Sequence, residues 1–199
     1  MRSRPRDPPV SGIERVERFA DSSAAVVMIG LWATAEAILL PIVPDVGLGL
    51  LALAAPRRGV PLFAVVLIGA IAGTLVMAAF ALQAPGAARA ALLALPGIDP
   101  AMLAGTERTL ARDGVIGFAQ IGPGAPLKAY TVEWLGRGGD VASLLVGVVL
   151  NRVTRIGPVL VVAAVIGRVA GPWLRRHSRI AVIAYAVLWL VFYLVYFLG

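Results

Sequence analysis

Long apolar runs separated by short basic clusters organise this chain. Residues 22–55 are apolar over 34 positions, with Glu36 and Asp45 as the only charges and Pro41 and Pro44 near the middle. One unbroken helix of that length would be roughly 50 Å long, against a hydrocarbon core of about 30 Å. The prolines divide the run into pieces of about 18 and 11 residues, and the second is too short to span. The pattern predicts a re-entrant hairpin that turns at Pro41–Pro44 and returns to the side it left. Backbone unravelled at that depth has to be covered by protein or line a wet cavity. Pro56-Arg57-Arg58-Gly59 follows as a basic turn. Residues 61–84 then give a 24-residue span without charge, in which Gly69, Ala70, Ala72 and Gly73 allow close helix packing.

The second half repeats the theme. Residues 85–111 read as a connector of mixed charge, with Leu92, Leu93 and Leu95 dipping into the interface. Asp99 is placed to cap a short helix that starts at Pro100. Residues 113–136 are again apolar and again broken centrally, by Gly122, Pro123, Gly124 and Pro126. The two pieces, of about eight and ten residues, predict a second re-entrant hairpin that leaves through Arg137-Gly138-Gly139-Asp140. Residues 141–167 form a long span interrupted by Asn151, Arg152 and Arg155. A basic loop at 168–179 leads to a last span at 180–198. Its Trp189, Phe192, Tyr193, Tyr196 and Phe197 are spaced as an interfacial aromatic belt. At the other terminus, residues 1–11 read as a disordered basic tail. Ser11 is placed to cap a helix over 12–20, whose Ile13, Val16 and Phe19 share the face of an element lying on a membrane surface.

Composition narrows the class. The 199 residues are 59% hydrophobic with a mean hydropathy of +0.88, beyond what a soluble domain carries. Segments alternating with period two are absent, which argues against a transmembrane barrel. The first 20 residues carry charge throughout, so no cleavable signal is expected. The net charge of +7 does not imply nucleic acid, because the arginines cluster at the ends of apolar spans. Membrane lipids with anionic headgroups are the expected partners, and a homo-oligomer is left open. The absence of Cys and the single histidine, His177, exclude thiol catalysis and a histidine metal cluster. No metal and no cofactor are expected.

Spacing and charge together predict a topology. Pro41-x-x-Pro44 matches Pro123-x-x-Pro126, and each is followed by a short apolar piece, a Gly/Arg turn and a full span. With the N-terminus cytoplasmic, eleven arginines fall inside (2, 4, 6, 15, 18, 57, 58, 168, 175, 176 and 179) and four outside (89, 108, 112 and 137). That agrees with the positive-inside rule. The expectation is an all-α integral membrane protein with an inverted repeat, two opposed re-entrant helical hairpins and about three full transmembrane helices. Its single membrane domain covers 12–199: repeat one at 22–84, the connector at 85–111, repeat two at 113–168 and the C-terminal helix at 180–198.

Six charges then fall within apolar segments: Glu36, Asp45, Lys128, Glu133, Arg152 and Arg155. Each costs about 2.5–3.5 kcal/mol near the bilayer centre, so each needs a reason. Glu36 could exchange a proton, or serve as a structural carboxylate paired with an arginine. Asp45, after Pro44, could hold a cation or act as a simple N-cap. Lys128, the sole lysine, could hold a phosphate or neutralise Glu36 or Asp45. Glu133 is expected to snorkel to the outer interface. Arg152 and Arg155 share a helix face, and planar guanidinium groups suit phosphate as well as buried carboxylates. Pro41, Pro44, Pro123, Gly124 and Pro126 mark the loop tips.

The run Glu36-x4-Pro41-x-x-Pro44-Asp45 resembles the first motif of the DedA-like (VTT, SNARE-associated) membrane proteins. Phe118 and the stretch PGAPLKAYT from Pro123 to Thr131 resemble their second loop, in the smaller branch with P-G-x-P-x-K, and Arg152 and Arg155 match the basic pair on the next helix. Gln120 departs from the arginine many members carry before the loop, Asp45 stands where many have Glu, and Lys128 where Arg is usual. The resemblance implies facing re-entrant hairpins and movement of phospholipids or polyprenyl-phosphate carriers across a bacterial-type inner membrane, with protons as the coupling ion.

The function expected is that of a lipid flippase or scramblase. Glu36 and Asp45 would handle protons or cations, and Lys128, Arg152 and Arg155 would take the headgroup. The alternative is a proton- or cation-coupled transporter of small ions or solutes. An enzyme is not expected, because no nucleophile–base pair or metal set is present.

Overall fold

The computed structural model describes residues 12–119 and 124–198, with side chains through 195. The tail 1–11, Ser11 as a cap, and Gln120 and Pro123 of the second loop lie outside the described residues. Among the described residues every regular element is helical. In order these are α1 (Gly12–Ala20), α2 (Ser23–Ile38), α3 (Asp45–Ala54), α4 (Gly59–Gln83), α5 (Pro85–Leu93), α6 (Pro100–Asp113), α7 (Leu127–Gly136), α8 (Val141–Val169), α9 (Gly171–Arg176) and α10 (Ser178–Leu198). Among the described residues three segments are long and apolar enough to cross a membrane: Pro56–Gln83, Val141–Val169 and Ser178–Val195. The chain is a helical membrane protein.

The first broken run has ends that meet. Ser22 caps α2 by accepting from the Ala25 N–H at 3.2 Å. Beside it, Asp21 accepts from Arg57 at 2.7 Å and from Arg58 at 2.6 Å, in the 3-10 turn that follows α3. α2 and α3 thus leave and regain the same end of the molecule. Neither reaches the length of a span.

α2 lies along α4 because glycine lets the two backbones approach. A Cβ on Gly69 would meet the Gly30 carbonyl, and one on Gly73 would meet the Thr34 carbonyl. Ala70 is buried in the same contact, whereas Ala72, expected to share it, is exposed. At 100° per residue it falls off the stripe that Gly69, Ala70 and Gly73 make.

The second broken segment departs from expectation in its first leg. In place of an eight-residue apolar helix there is a 3-10 turn, Gly114–Phe118, attached to the polar helix α6. Asp99 caps α6 as the sequence predicts, with the Met102 N–H at 2.7 Å. The helix then continues to Asp113 and stops at Gly114, whose φ of +58° suits glycine. Leu92, expected at the interface, is buried in the core with Leu103 and Leu110. α7 starts beside the C-terminal end of α2 and finishes beside α5, where Arg89 pairs with Glu133 at 3.5 Å. The turn Arg137–Asp140 leads into α8, capped by Asp140 through the Ser143 N–H at 2.8 Å. α8 then runs unbroken past Asn151, Arg152, Arg155 and Pro158.

α1 carries its apolar face onto protein. Ile13 and Ala20 are buried, and Val16 and Phe19 pack on the cluster formed by α2, α3, α4 and α8. Arg15 and Arg18 point outward. This corrects the reading of α1 as a helix resting on the membrane with that face down.

Candidate functional site

Four charges meet where the two broken segments touch. Glu36 from the last turn of α2 is 1% exposed, Asp45 at the start of α3 4%, Lys128 in the first turn of α7 2% and Arg152 at mid-α8 0%. The Arg152 guanidinium pairs directly with Glu36 Oε2. Lys128 Nζ stands 4.0 Å from Glu36 Oε1 and donates to two backbone carbonyls, of Glu36 and Leu40, each at 3.0 Å. The last carbonyls of a helix have no partner within it and carry the negative end of its dipole. Lys128 supplies both the donors and the charge.

The lysine therefore serves the end of α2 and Glu36. Of the two carboxylates the sequence offered it, Lys128 stands by Glu36 and not by Asp45. Asp45 Oδ1 has no hydrogen-bond partner among the described residues, and the half-buried Arg155 acts on the carboxyl at longer range. Glu36 Oε1, Arg152 Nε, Asn151 Oδ1 and Tyr130 Oη are likewise buried without a hydrogen-bond partner among the described residues. They lie on α2, α8 and α7 around the same cluster. Asn151 uses its amide Nδ2 on the Phe118 carbonyl at 3.1 Å, which ties the end of the 3-10 turn to α8. The Phe118 ring sits where a Cβ on Gly147 would collide with it, and it packs on Tyr130 at 5.1 Å between centroids.

The tip residues are close. Pro41 and Pro126 line one space of about 10 Å³ with Lys128, Leu95, Pro96 and Ile98, too small for anything beyond a single water. Pro44 forms the N-cap position of α3, and Gly124 is half-buried just before α7.

The backbone of the first turn is satisfied from several directions. Lys128 takes the Leu40 carbonyl, Trp32 Nε1 donates to the Ile42 carbonyl at 2.8 Å, the Val43 N–H donates to Tyr193 Oη at 2.9 Å, and Tyr185 Oη donates to the Val46 carbonyl at 2.7 Å. Both tyrosines belong to α10. Tyr193 is thus a support of the turn and not part of an interfacial belt, while the side chains of Tyr196 and Phe197 lie outside the described residues. Tyr185 and Tyr193, eight residues apart on one helical face, are the site residues that sequence reading missed. Their signal was a pair of hydroxyls on the same stripe of a very apolar helix.

Glu133, expected at the outer interface, is buried against Arg89. It takes no part in the cluster. Among the described residues no group of three or more His, Asp or Glu side chains is placed to hold a metal ion. Comparison with protein-family models, curated proteins and solved structures gives no match.

Proposed function

We propose that this protein moves lipids across a bilayer, as a flippase or scramblase for phospholipids or polyprenyl phosphates. In this reading α2–α3 and the segment ending in α7 are two re-entrant hairpins of an inverted repeat that enter from opposite faces. The basic end, with Arg57, Arg58, Arg168, Arg175 and Arg176, is cytoplasmic in a bacterial-type inner membrane. The observation that carries the proposal is the Glu36–Arg152 pair with Lys128 beside it, fully buried at the meeting point of two broken segments in a very apolar chain. Buried charge at membrane depth is expensive and is concentrated at pathways. The resemblance to the DedA-like proteins supports the same reading.

The chemistry follows from the pair. While Glu36 is ionised it occupies the Arg152 guanidinium. Proton uptake on Glu36 removes that competing charge and leaves the planar fork of Arg152, with Arg155 one turn along α8, to a phosphate group. Loss of the proton takes the guanidinium back and expels the headgroup. Lys128 keeps the end of α2 closed and its positive charge near the phosphate path.

A second reading is favoured by one observation. Asp45 is a buried carboxylate with an unpartnered oxygen, which suits a cation or proton site in a small-solute transporter. Reconstituted vesicles carrying fluorescent phospholipid and a pH gradient separate the two. Lipid transfer that is lost in Glu36→Gln and Arg152→Ala, with both variants still monodisperse in detergent, fits the first reading. Unchanged lipid transfer in both variants refutes it, and a cation flux requiring Asp45 in the absence of lipid transfer establishes the second.

A further inference from the structure

A second charged region shares no residue with the Glu36 cluster, and it lies beside an apolar groove. At the basic end, α1, the 3-10 turn Pro56–Arg58, the end of α8 and α9 enclose a pocket of about 300 Å³. Arg57, Arg168 and Arg175 line it, with Glu17 the one carboxylate. Three guanidinium groups against one carboxylate leave a formal excess of two positive charges. Arg175 donates to Glu17 at 2.8 Å and Arg57 to Asp21 at 2.7 Å. Each arginine carries five N–H donors, so both keep donors to spare. Arg168 is exposed and makes no ion pair among the described residues.

The pocket adjoins a groove of about 670 Å³ between α8 and α10. Leu53 and Leu174 line both spaces and form their shared wall. All the groove's other lining side chains are apolar or aromatic, among them Val159, Val162, Leu188 and Phe192. The Tyr185 hydroxyl on this wall is already engaged with Val46. α10 packs chiefly on α1 and α9 and stands off from α8 across the groove. The two volumes fall within the ~300–1,000 Å³ usual for small-molecule sites. One is cationic and the other is apolar, and Leu53 and Leu174 belong to the lining of both.

We infer that this junction binds one anionic glycerophospholipid, with its phosphate among Arg57, Arg168 and Arg175 and one acyl chain along the groove between α8 and α10. The site shares no residue with the Glu36 cluster and does not depend on transport. Basic pockets beside membrane helices hold anionic headgroups by charge and by guanidinium hydrogen bonds. Here the chain would fill the gap that keeps α10 from α8. Bound lipid would thereby steady the helix whose Tyr185 and Tyr193 hold the first turn.

The test is native mass spectrometry of the full-length protein in non-ionic detergent. It is offered equal amounts of phosphatidylglycerol and phosphatidylcholine with identical chains. One phosphatidylglycerol is expected to be retained in preference to phosphatidylcholine. Removing a charge in Arg168→Gln should cut that preference about fivefold, as expected for one basic side chain near a headgroup. Arg168 is exposed, so this variant tests the site without a folding penalty. Ala184→Trp fills the groove from α10 and should reduce retention of both lipids with every arginine in place. Thermal unfolding with and without lipid gives a second readout, in which phosphatidylglycerol raises the midpoint and inorganic phosphate at the same concentration does not. Equal retention of the two lipids, retention unchanged in both variants, equal protection by phosphate, or a groove occupied by a second copy of the chain overturns the inference.

Discussion

Lys128 closes the carbonyl end of the helix that carries Glu36. Its ammonium lies 3.0 Å from the Glu36 carbonyl oxygen and reaches the carboxylate of the same residue at 4.0 Å. A single side chain thus serves the backbone and the side chain of one residue, from a helix 92 positions further along the chain. Charged hydrogen bonds contribute about 1.5–3 kcal/mol each. Lys128→Met, which keeps the stem, should therefore destabilise the protein by about 3 kcal/mol or more. Unfolding in mixed micelles as a function of SDS measures this, and an unshifted midpoint would contradict the capping role.

Glu36 and Arg152 form a tight pair shielded from solvent. Removing one partner strands the other, at a cost of about 3–5 kcal/mol. Glu36→Gln and Arg152→Met should each be strongly destabilising, and the double variant should cost less than the two losses added together. A double-mutant cycle in the same unfolding assay reads the coupling, expected at about 0.5–3 kcal/mol. Additive losses would mean that the pair does not interact.

The Tyr193 hydroxyl accepts the Val43 N–H. Tyr193→Phe leaves that donor without its partner, at a cost of about 1–3 kcal/mol. Hydrogen–deuterium exchange should speed up in the peptide covering residues 39–46 and remain unchanged in α8. Unaltered exchange in that peptide would rule out the bond as a support of the turn.

The first broken run answers to acid at its basic end. Hydrogen bonds from Arg58 and Arg57 hold the Asp21 carboxyl below its usual pKa. A carboxyl with a depressed folded-state pKa adds stability above its unfolded value, near 4, and loses it as pH falls through the folded value. Wild-type protein should lose stability below about pH 4 more steeply than Asp21→Asn, which lacks this carboxyl. Parallel pH profiles would show that the Asp21 pairs contribute nothing.

Much of this arrangement was legible in the sequence. Proline position and run length located α2, α3 and α7, and the uncharged or nearly uncharged runs gave α4, α8 and α10. Asp99 stands at the N-cap that its place before Pro100 announced. Burial of Glu36, Asp45, Lys128 and Arg152 followed from charge within apolar runs. Partner choice did not follow from pattern. Pattern left Lys128 a choice between Glu36 and Asp45, and an ammonium with three donors settles where bare carbonyls accumulate, which is the end of α2. The first leg of the second segment was misread because Gly114 ends a polar helix there, and hydropathy alone does not separate a 3-10 turn from a short apolar helix. Aromatic spacing in α10 described a belt and a set of turn supports equally well. Only the position of Val43 and Val46 decided between them.

The Glu36–Arg152 pair also orders the birth of the molecule. Its partners are 116 residues apart. At 5–20 residues per second, a ribosome finishes Arg152 roughly 6–23 s after Glu36. Throughout that interval the nascent first half holds a carboxylate whose paired arginine has not been made, and for most of it Lys128 is missing as well. Glu36 must wait in water, within the insertion machinery or as the neutral acid, so α2 and α3 reach their final packing only after translation has passed the middle of α8.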